Sequence, residues 1–134
     1  MLEIIFHELE KHLGLKAYKD EKGLLGPYCL QIGDQIDVWI KGLEVGIVLK
    51  GVIGPLVPST DNETLFIYLM KANYIGQGTG GGVIALDPDE KFLTLSLIMP
   101  YEVNYRIFRD RLEDFVNYLD FWKSDLKRLE TRQI

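Results

Sequence analysis

The stretch "ANYIGQGTGGGVIALDPD", residues 72–89, packs five glycines into the seven positions from Gly76 to Gly82. Gly76, Gly78 and Gly81 satisfy G-x-G-x-x-G, a phosphate signature only when a strand precedes it and a helix follows. Here the order is reversed. "ETLFIYLMKAN" before the loop has helical composition, and "VIALD" after it is short, apolar and β-branched. The loop therefore follows a helix C-terminus, where exposed carbonyls and the negative end of the dipole repel phosphate. Gly76 and Gly81 also have Walker A spacing, but Gly82 and Val83 stand where Lys and Ser/Thr are needed. The glycines read as a helix stop and an entry to a strand.

Working outward, the helix before the loop starts near Thr60, which has capping-box spacing with Glu63. Leu65, Phe66, Leu69 and Ala72 form its apolar stripe, while Ile67, Tyr68 and Met70 lie on other faces. A helix apolar nearly all round needs cover nearly all round, and in a short chain a second subunit can supply it. Upstream, "GPLVPS" is a breaker. Residues 16–53 read as strands: Ile36, Val38 and Ile40 share one face, and Val45, Ile47 and Leu49 another, with breaks at Gly33 and Gly42. Residues 2–13 fit an amphipathic helix on Leu2, Ile5, Phe6, Leu9 and Leu13, with Ile4 off the stripe.

Downstream, "DPDE" is a turn between two strands. Leu93, Leu95, Leu97 and Met99 line one face of the second strand, and Phe92, Thr94, Ser96 and Ile98 the other. Residues 104–130 form a long helix: Tyr105, Phe108, Leu112, Phe115, Val116, Leu119, Trp122, Leu126 and Leu129 step by three or four. The order is α-βββ-α-ββ-α, an α+β fold with an antiparallel twisted sheet packed by helices, in one domain over residues 1–134.

Composition sets bounds on function. With 134 residues, 47% hydrophobic and 26% charged, the chain can bury a core without staples. No apolar run is long enough for a membrane helix. "MLEIIFHELEKH" lacks the basic start of a signal peptide, and one cysteine suits a reducing compartment, so the expected location is the cytoplasm. A net charge of −5 argues against nucleic acid, which needs clustered Lys and Arg.

Chemistry-bearing residues do not converge. His7 and His12 are five apart, on different faces of a helix, and cannot share a metal. Cys29 has no nearby His and reads as a packed strand cysteine. Ser59, Ser96 and Ser124 sit in no nucleophile elbow. Asp87 and Asp89 are turn residues. Trp39 fits packing and binding equally, and Trp122 falls on the helical stripe as core. Neither an enzyme nor a cofactor is expected. What stands out is apolar content beyond the usual needs of a small acidic domain, which the residues alone fit equally to a larger internal core or to an interaction surface whose sheet edges, where open, accept an extended peptide.

"ANYIGQGTGGGVIALDPDEKFLTLSL" resembles the central signature of the class I type III secretion chaperones, the Tir-chaperone family. An opening helix ending in "HLGL", a strand segment closing with "GPLVPS" and a long last helix stand in family order. The resemblance implies a homodimer in the bacterial cytoplasm that holds the N-terminal segment of a secreted effector in extended form, keeps it soluble and presents it to the secretion ATPase. It implies no catalysis, cofactor, nucleic acid or membrane insertion. It assigns Leu65, Tyr68, Leu69, Tyr74 and Val83 to the dimer interface, and Ile4, Ile5, Phe6, Leu15, Trp39 and Ile47 to effector binding; some of these must be core. The glycine loop then serves as a structural joint. Two alternatives remain: an export-apparatus regulator or co-chaperone on the same fold, and a small-ligand-binding α+β domain.

Overall fold

The computed structural model describes residues 7–8, 11, 21–24, 26–57 and 62–132. His7, Glu8 and Lys11 are helical; the rest of the helix expected over 2–13 lies outside the described residues, as do Ile4, Ile5, Phe6 and Leu15.

Five strands follow the expected order: β1 (Tyr28–Ile32), β2 (Ile36–Gly42), β3 (Ile47–Pro55), β4 (Val83–Leu86) and β5 (Phe92–Met99). Helix α1 (Asn62–Asn73) and a short 3-10 turn (Tyr74–Gly76) lie between β3 and β4, and α2 (Tyr105–Arg132) closes the chain. All pairings are antiparallel, in the order β1-β2-β3-β5-β4. Val45, expected in a strand, lies in the exposed turn before β3, where Leu43 N–H donates to Gly46. Thr60 is outside the described residues.

Alternation along the strands divides the sheet into two faces. The inner face carries Tyr28, Val38, Ile40, Ile47, Leu49, Leu93, Leu95, Leu97 and Met99, all buried. Against it lies α2 through Phe108, Leu112, Phe115, Leu119, Trp122 and Leu126, also buried. Asn104 caps α2, its side-chain oxygen accepting from Ile107 N–H at 2.9 Å. The helix comes close because β3 is glycine where the two meet. A Cβ on Gly51 would sit 2.3 Å from Leu119 Cδ2, and one on Gly54 2.8 Å from Leu126 Cδ2. A register shift between Val52 and Gly54 turns Gly54 to the inner side, paired with Leu93.

Leu69 of α1 and Ile84 of β4 complete this core. Two assigned residues change role here. Ile47 is fully buried at the start of β3, between Gly42 and Met99, so it is core and not effector-binding surface. Leu69 is the one residue of α1 fully inside its own protomer, so it is core and not dimer interface. Strand and helix periodicity put each on the inward face, and residue type alone gave no way to separate inward from outward.

Candidate partner-binding surfaces

The glycine loop spends most of its amides on its own carbonyls. Gln77, Gly78, Thr79, Gly81 and Gly82 N–H groups donate to Tyr74, Ala72, Gly76, Gly76 and Thr79 carbonyls. The buried Thr79 hydroxyl donates to Gly82 O at 2.6 Å. Trp122 Nε1–H of α2 donates to Gly78 O at 2.9 Å, tying loop to helix. Gly80 has φ +63°, and a Cβ there would lie 2.5 Å from the Tyr118 ring. Glycine is required on two counts, left-handed backbone and contact with an aromatic ring.

Beyond the loop, Asn73 seals one edge of the sheet. Its side-chain nitrogen donates to Ile84 O at 2.8 Å, and its side-chain oxygen accepts from Ile84 N–H at 2.7 Å. Both Ile84 backbone groups point away from β5, and the Asn73 amide takes the place of a neighbouring strand. Among the described residues, β1 is the other edge and pairs only with β2.

The first exposed apolar surface runs along α1. Ile67, Met70 and Tyr74 are spaced i, i+3, i+7 and all face outward, Met70 at 71% exposure. Ile75 continues it at 75% exposure, with φ at +47°. A β-branched residue in the left-handed region is a costly conformation, and here it displays an apolar side chain to solvent. Tyr74 and Val83, both assigned to the dimer interface, are exposed and adjoin the Asn73–Ile84 bracket in the chain, Tyr74 following Asn73 and Val83 preceding Ile84. Leu65 is half-buried against the core. Tyr68 sits on the opposite flank of α1 and is half engaged: its hydroxyl donates to the buried Asp125 of α2 at 2.7 Å.

Registration of the strands defines a second surface, the outer sheet face. The row Cys29, Trp39, Lys50, Ser96 and Val83 crosses all five strands. Beside it lie Lys41, Val48 and Ile98, and on the other side Val52, Thr94 and Ala85. Trp39 is 43% exposed here, and Ile98 and Val52 are exposed. Burial and the neighbouring Asp37 push the Cys29 thiol above its ordinary pKa, which disfavours a thiolate nucleophile. The structure thus places Trp39 and Val83 on one face, although one was assigned to effector and the other to dimer.

A third feature is a groove of about 650 Å³ between α1 and α2, lined by Tyr68, Lys71, Ala72, Gly78, Asn117, Tyr118, Phe121 and Trp122. Phe121 is 54% exposed and meets the Trp122 ring edge-on at 5.2 Å. The sequence reading missed Ile75 and Phe121. Phe121 stands beside a stripe residue and off the stripe, a legible signal; the backbone of Ile75 left none.

At the β4–β5 turn, Asp87 Oδ1 accepts from Lys91 and Phe92 N–H at 2.8 and 3.0 Å. The Phe92 amide foremost, with the Lys91 amide and the charges of Lys50 and Lys91, holds its carboxyl below the usual range. Asp87 is thus a turn residue. No group of His, Cys, Asp and Glu suited to a metal occurs among the described residues, and none of their helices is long and apolar enough to cross a membrane.

Helix, amide-sealed glycine loop, "ALDPD" turn and long closing helix are thus one arrangement, and a sequence model of the Tir chaperone protein (CesT) family matches residues 5–123. The chain belongs to the Tir chaperone family. A protein of Chlamydia pneumoniae is 28% identical over 127 residues, covering 94% of this chain and 96% of that one. Solved structures share the fold. The ExsC–ExsE complex gives a TM-score of 0.70 at 17% identity, over 90% of this chain and 89% of that one. The heterodimeric ExoU–SpcU complex from the type III secretion system of Pseudomonas aeruginosa gives 0.64 at 21% identity, over 88% and 90%. The Yersinia pestis type III secretion chaperone SycH, in complex with a fragment of YscM2, gives 0.61 at 18% identity, over 91% and 99%. The five-stranded antiparallel sheet with helices is the α+β fold of type III secretion chaperones. The family is one of chaperones and not a class of enzymes.

Proposed function

We propose that this Tir-family chain is a cytoplasmic homodimer that holds the N-terminal segment of a type III secreted effector in extended form, keeping it soluble and fit for secretion. The carrying observation is that the core of the protomer is already filled, yet two apolar surfaces remain outside it. Along α1 and the turn after it, the stripe Ile67, Met70 and Tyr74 with Ile75 suits a second copy. The outer sheet face around Trp39, Val52 and Ile98 suits a client. Each apolar Å² covered contributes roughly 25 cal/mol, offset by the cost of ordering the client segment.

Strand addition is directed by the sheet edges. Asn73 closes β4 at Ile84, so an extended client pairs along β1, beside Trp39. Work of this kind needs neither catalysis nor a cofactor: holding and release follow from binding equilibrium, and hand-over to the secretion ATPase supplies the energy for export. Of the residues assigned to the dimer, Leu65, Tyr74 and Val83 stay in the set, extended by Met70 and Ile75; Tyr68, on the opposite flank of α1 and bonded to Asp125, leaves it. The client set, among described residues, is Trp39.

The test is capture of partners from the native cytosol with the tagged chain, followed by limited proteolysis. The expected result is one dominant secreted protein, protected only near its N-terminus. Capture of a transcription factor instead would move the function to the regulator reading, and capture of nothing under secreting conditions would overturn the chaperone reading.

A further inference from the structure

The α1–α2 groove belongs to neither surface used above. On α1, Tyr68 and Met70 stand on opposite flanks of the buried Leu69, so the groove and the Ile67–Met70–Tyr74 stripe face different ways. We infer that this groove is an anchor site for the client: it takes one large apolar side chain of the extended segment, and Lys71 holds a carboxylate one or two residues away. This rests on the client-binding reading and adds a sequence preference to it.

Three observations carry the inference. First, the walls are fixed before anything binds. The Tyr68 hydroxyl is held by Asp125 at 2.7 Å, and the Trp122 indole N–H by Gly78 O at 2.9 Å. Their rings meet at 5.7 Å with 66° between planes. Asp125 is in turn held by Arg128 at 2.7 Å. Walls already ordered cost little to use, and aromatic walls offer large apolar area.

Second, the size suits a side chain. A space of about 650 Å³ falls in the range of sites that enclose a whole small ligand, so one large side chain and its flanking backbone fit. Phe121, half exposed, leaves the apolar lining open to solvent.

Third, the rim is polar and unsatisfied on one sign. Lys71 and Asn117 border the groove, and neither side chain has a hydrogen-bond or ion-pair partner among the described residues. In a chain of net charge −5, an unpaired lysine beside an aromatic groove favours a carboxylate over an ammonium.

The experiment uses the full chain and three capped hexapeptides in a glycine-serine background. One carries phenylalanine with aspartate two positions on, one phenylalanine with lysine there, and one serine with aspartate. The readout is the NMR shift of the Trp122 indole N–H, assigned with Trp39→Phe. The phenylalanine–aspartate peptide is expected to shift it in a saturable way. The lysine version is expected to bind about threefold to fivefold more weakly, as for an exposed charge pair, and the serine version to leave the signal unmoved. Lys71→Glu, at an exposed site, is expected to reverse the charge order. A silent Trp122 indole, equal affinity for both charges, or an order that Lys71→Glu leaves unchanged would each overturn the inference. The broader reading fails separately. A chain that captures a secreted client while this signal stays silent loses the anchor site alone, whereas peptide binding without a captured client keeps the groove and loses the chaperone.

Discussion

The Tyr68 hydroxyl donates to Asp125 Oδ2 at 2.7 Å across 57 residues of sequence, and Arg128 closes on the other oxygen of the same carboxylate. Asp125 is buried, so both partners are needed to satisfy it. The pair joins α1 to α2 and sets one wall of the groove. Tyr68→Phe removes one charge-assisted hydrogen bond and leaves Arg128 in place. The tyrosine is partly exposed, so the expected loss is about 1 kcal/mol by urea denaturation. Asp125→Ala strips both partners and should cost more; an equal or smaller loss would show that the carboxylate is not the joint.

That same hydrogen bond predicts an alkaline dependence. The bond to Asp125, then burial, raises the Tyr68 pKa above its ordinary value. Its folded-state pKa exceeds the unfolded one, so its contribution is complete below about pH 10 and is lost as pH rises through the folded value. Tyr101 is also raised, by burial, so the Tyr68→Phe variant keeps part of this slope. Denaturation at pH 9 and pH 11 should show a shallower loss for Tyr68→Phe. Asp87 works in the opposite window: its pKa is lowered, so its contribution is present at neutral pH and lost as pH falls through the carboxylate range. Asp87→Asn should flatten the acid limb.

Close contact makes two glycines intolerant. Gly51→Ala puts a Cβ 2.3 Å from Leu119 Cδ2, and the helix must shift to admit it, at about 1–3 kcal/mol. Gly80→Val meets the Tyr118 ring and a left-handed backbone together. The loop joins α1 to β4, so Gly80→Val should lower both thermal stability and the yield of dimer. It should change no nucleotide affinity; tight ATP binding by the wild type would overturn the structural role of the loop.

Much of the fold could be read from spacing. Phe108, Leu112, Phe115, Leu119, Trp122 and Leu126 recur at helical intervals, and all are buried. The sides of β5 alternate as its sequence does, Leu93, Leu95, Leu97 and Met99 turning inward. Surfaces were harder to read, because periodicity gives a face but not what covers it. Ile47 and Trp39 are both large apolar residues of the early strands; only the pairing of Ile47 with Met99 and of Trp39 with Lys50 shows which side each takes. Leu69 and Met70 are neighbours in one apolar helix, yet one is core and the other exposed. The edge seal by Asn73 left no trace in sequence, since it depends on how α1 meets β4.

Exposure on α1 gives a direct test of dimerisation. Met70 makes no contribution to the protomer core, so Met70→Glu should leave the fold intact while placing a charge in the proposed interface. Sedimentation equilibrium should give a dimer for the wild type and a monomer for the variant, with unchanged far-ultraviolet circular dichroism. A wild type that stays monomeric at high concentration would remove the second copy from the proposal.

The two tryptophans separate stability from binding. Trp122 is buried, donates to Gly78 O and packs against Tyr68 and Phe121, so Trp122→Ala should cost about 3–5 kcal/mol. Trp39 stands on the outer sheet face beside β1 and is 43% exposed, so Trp39→Ala should cost only about 1 kcal/mol. If the client segment pairs along β1, the exposed ring is apolar area that the client covers. Trp39→Ala should then release the captured client at a concentration of chaperone where the wild type retains it, while circular dichroism shows the fold unchanged. Retention equal to wild type would place the client elsewhere on the sheet and leave the Trp39 ring a packing residue, the other role open to it from its strand position alone.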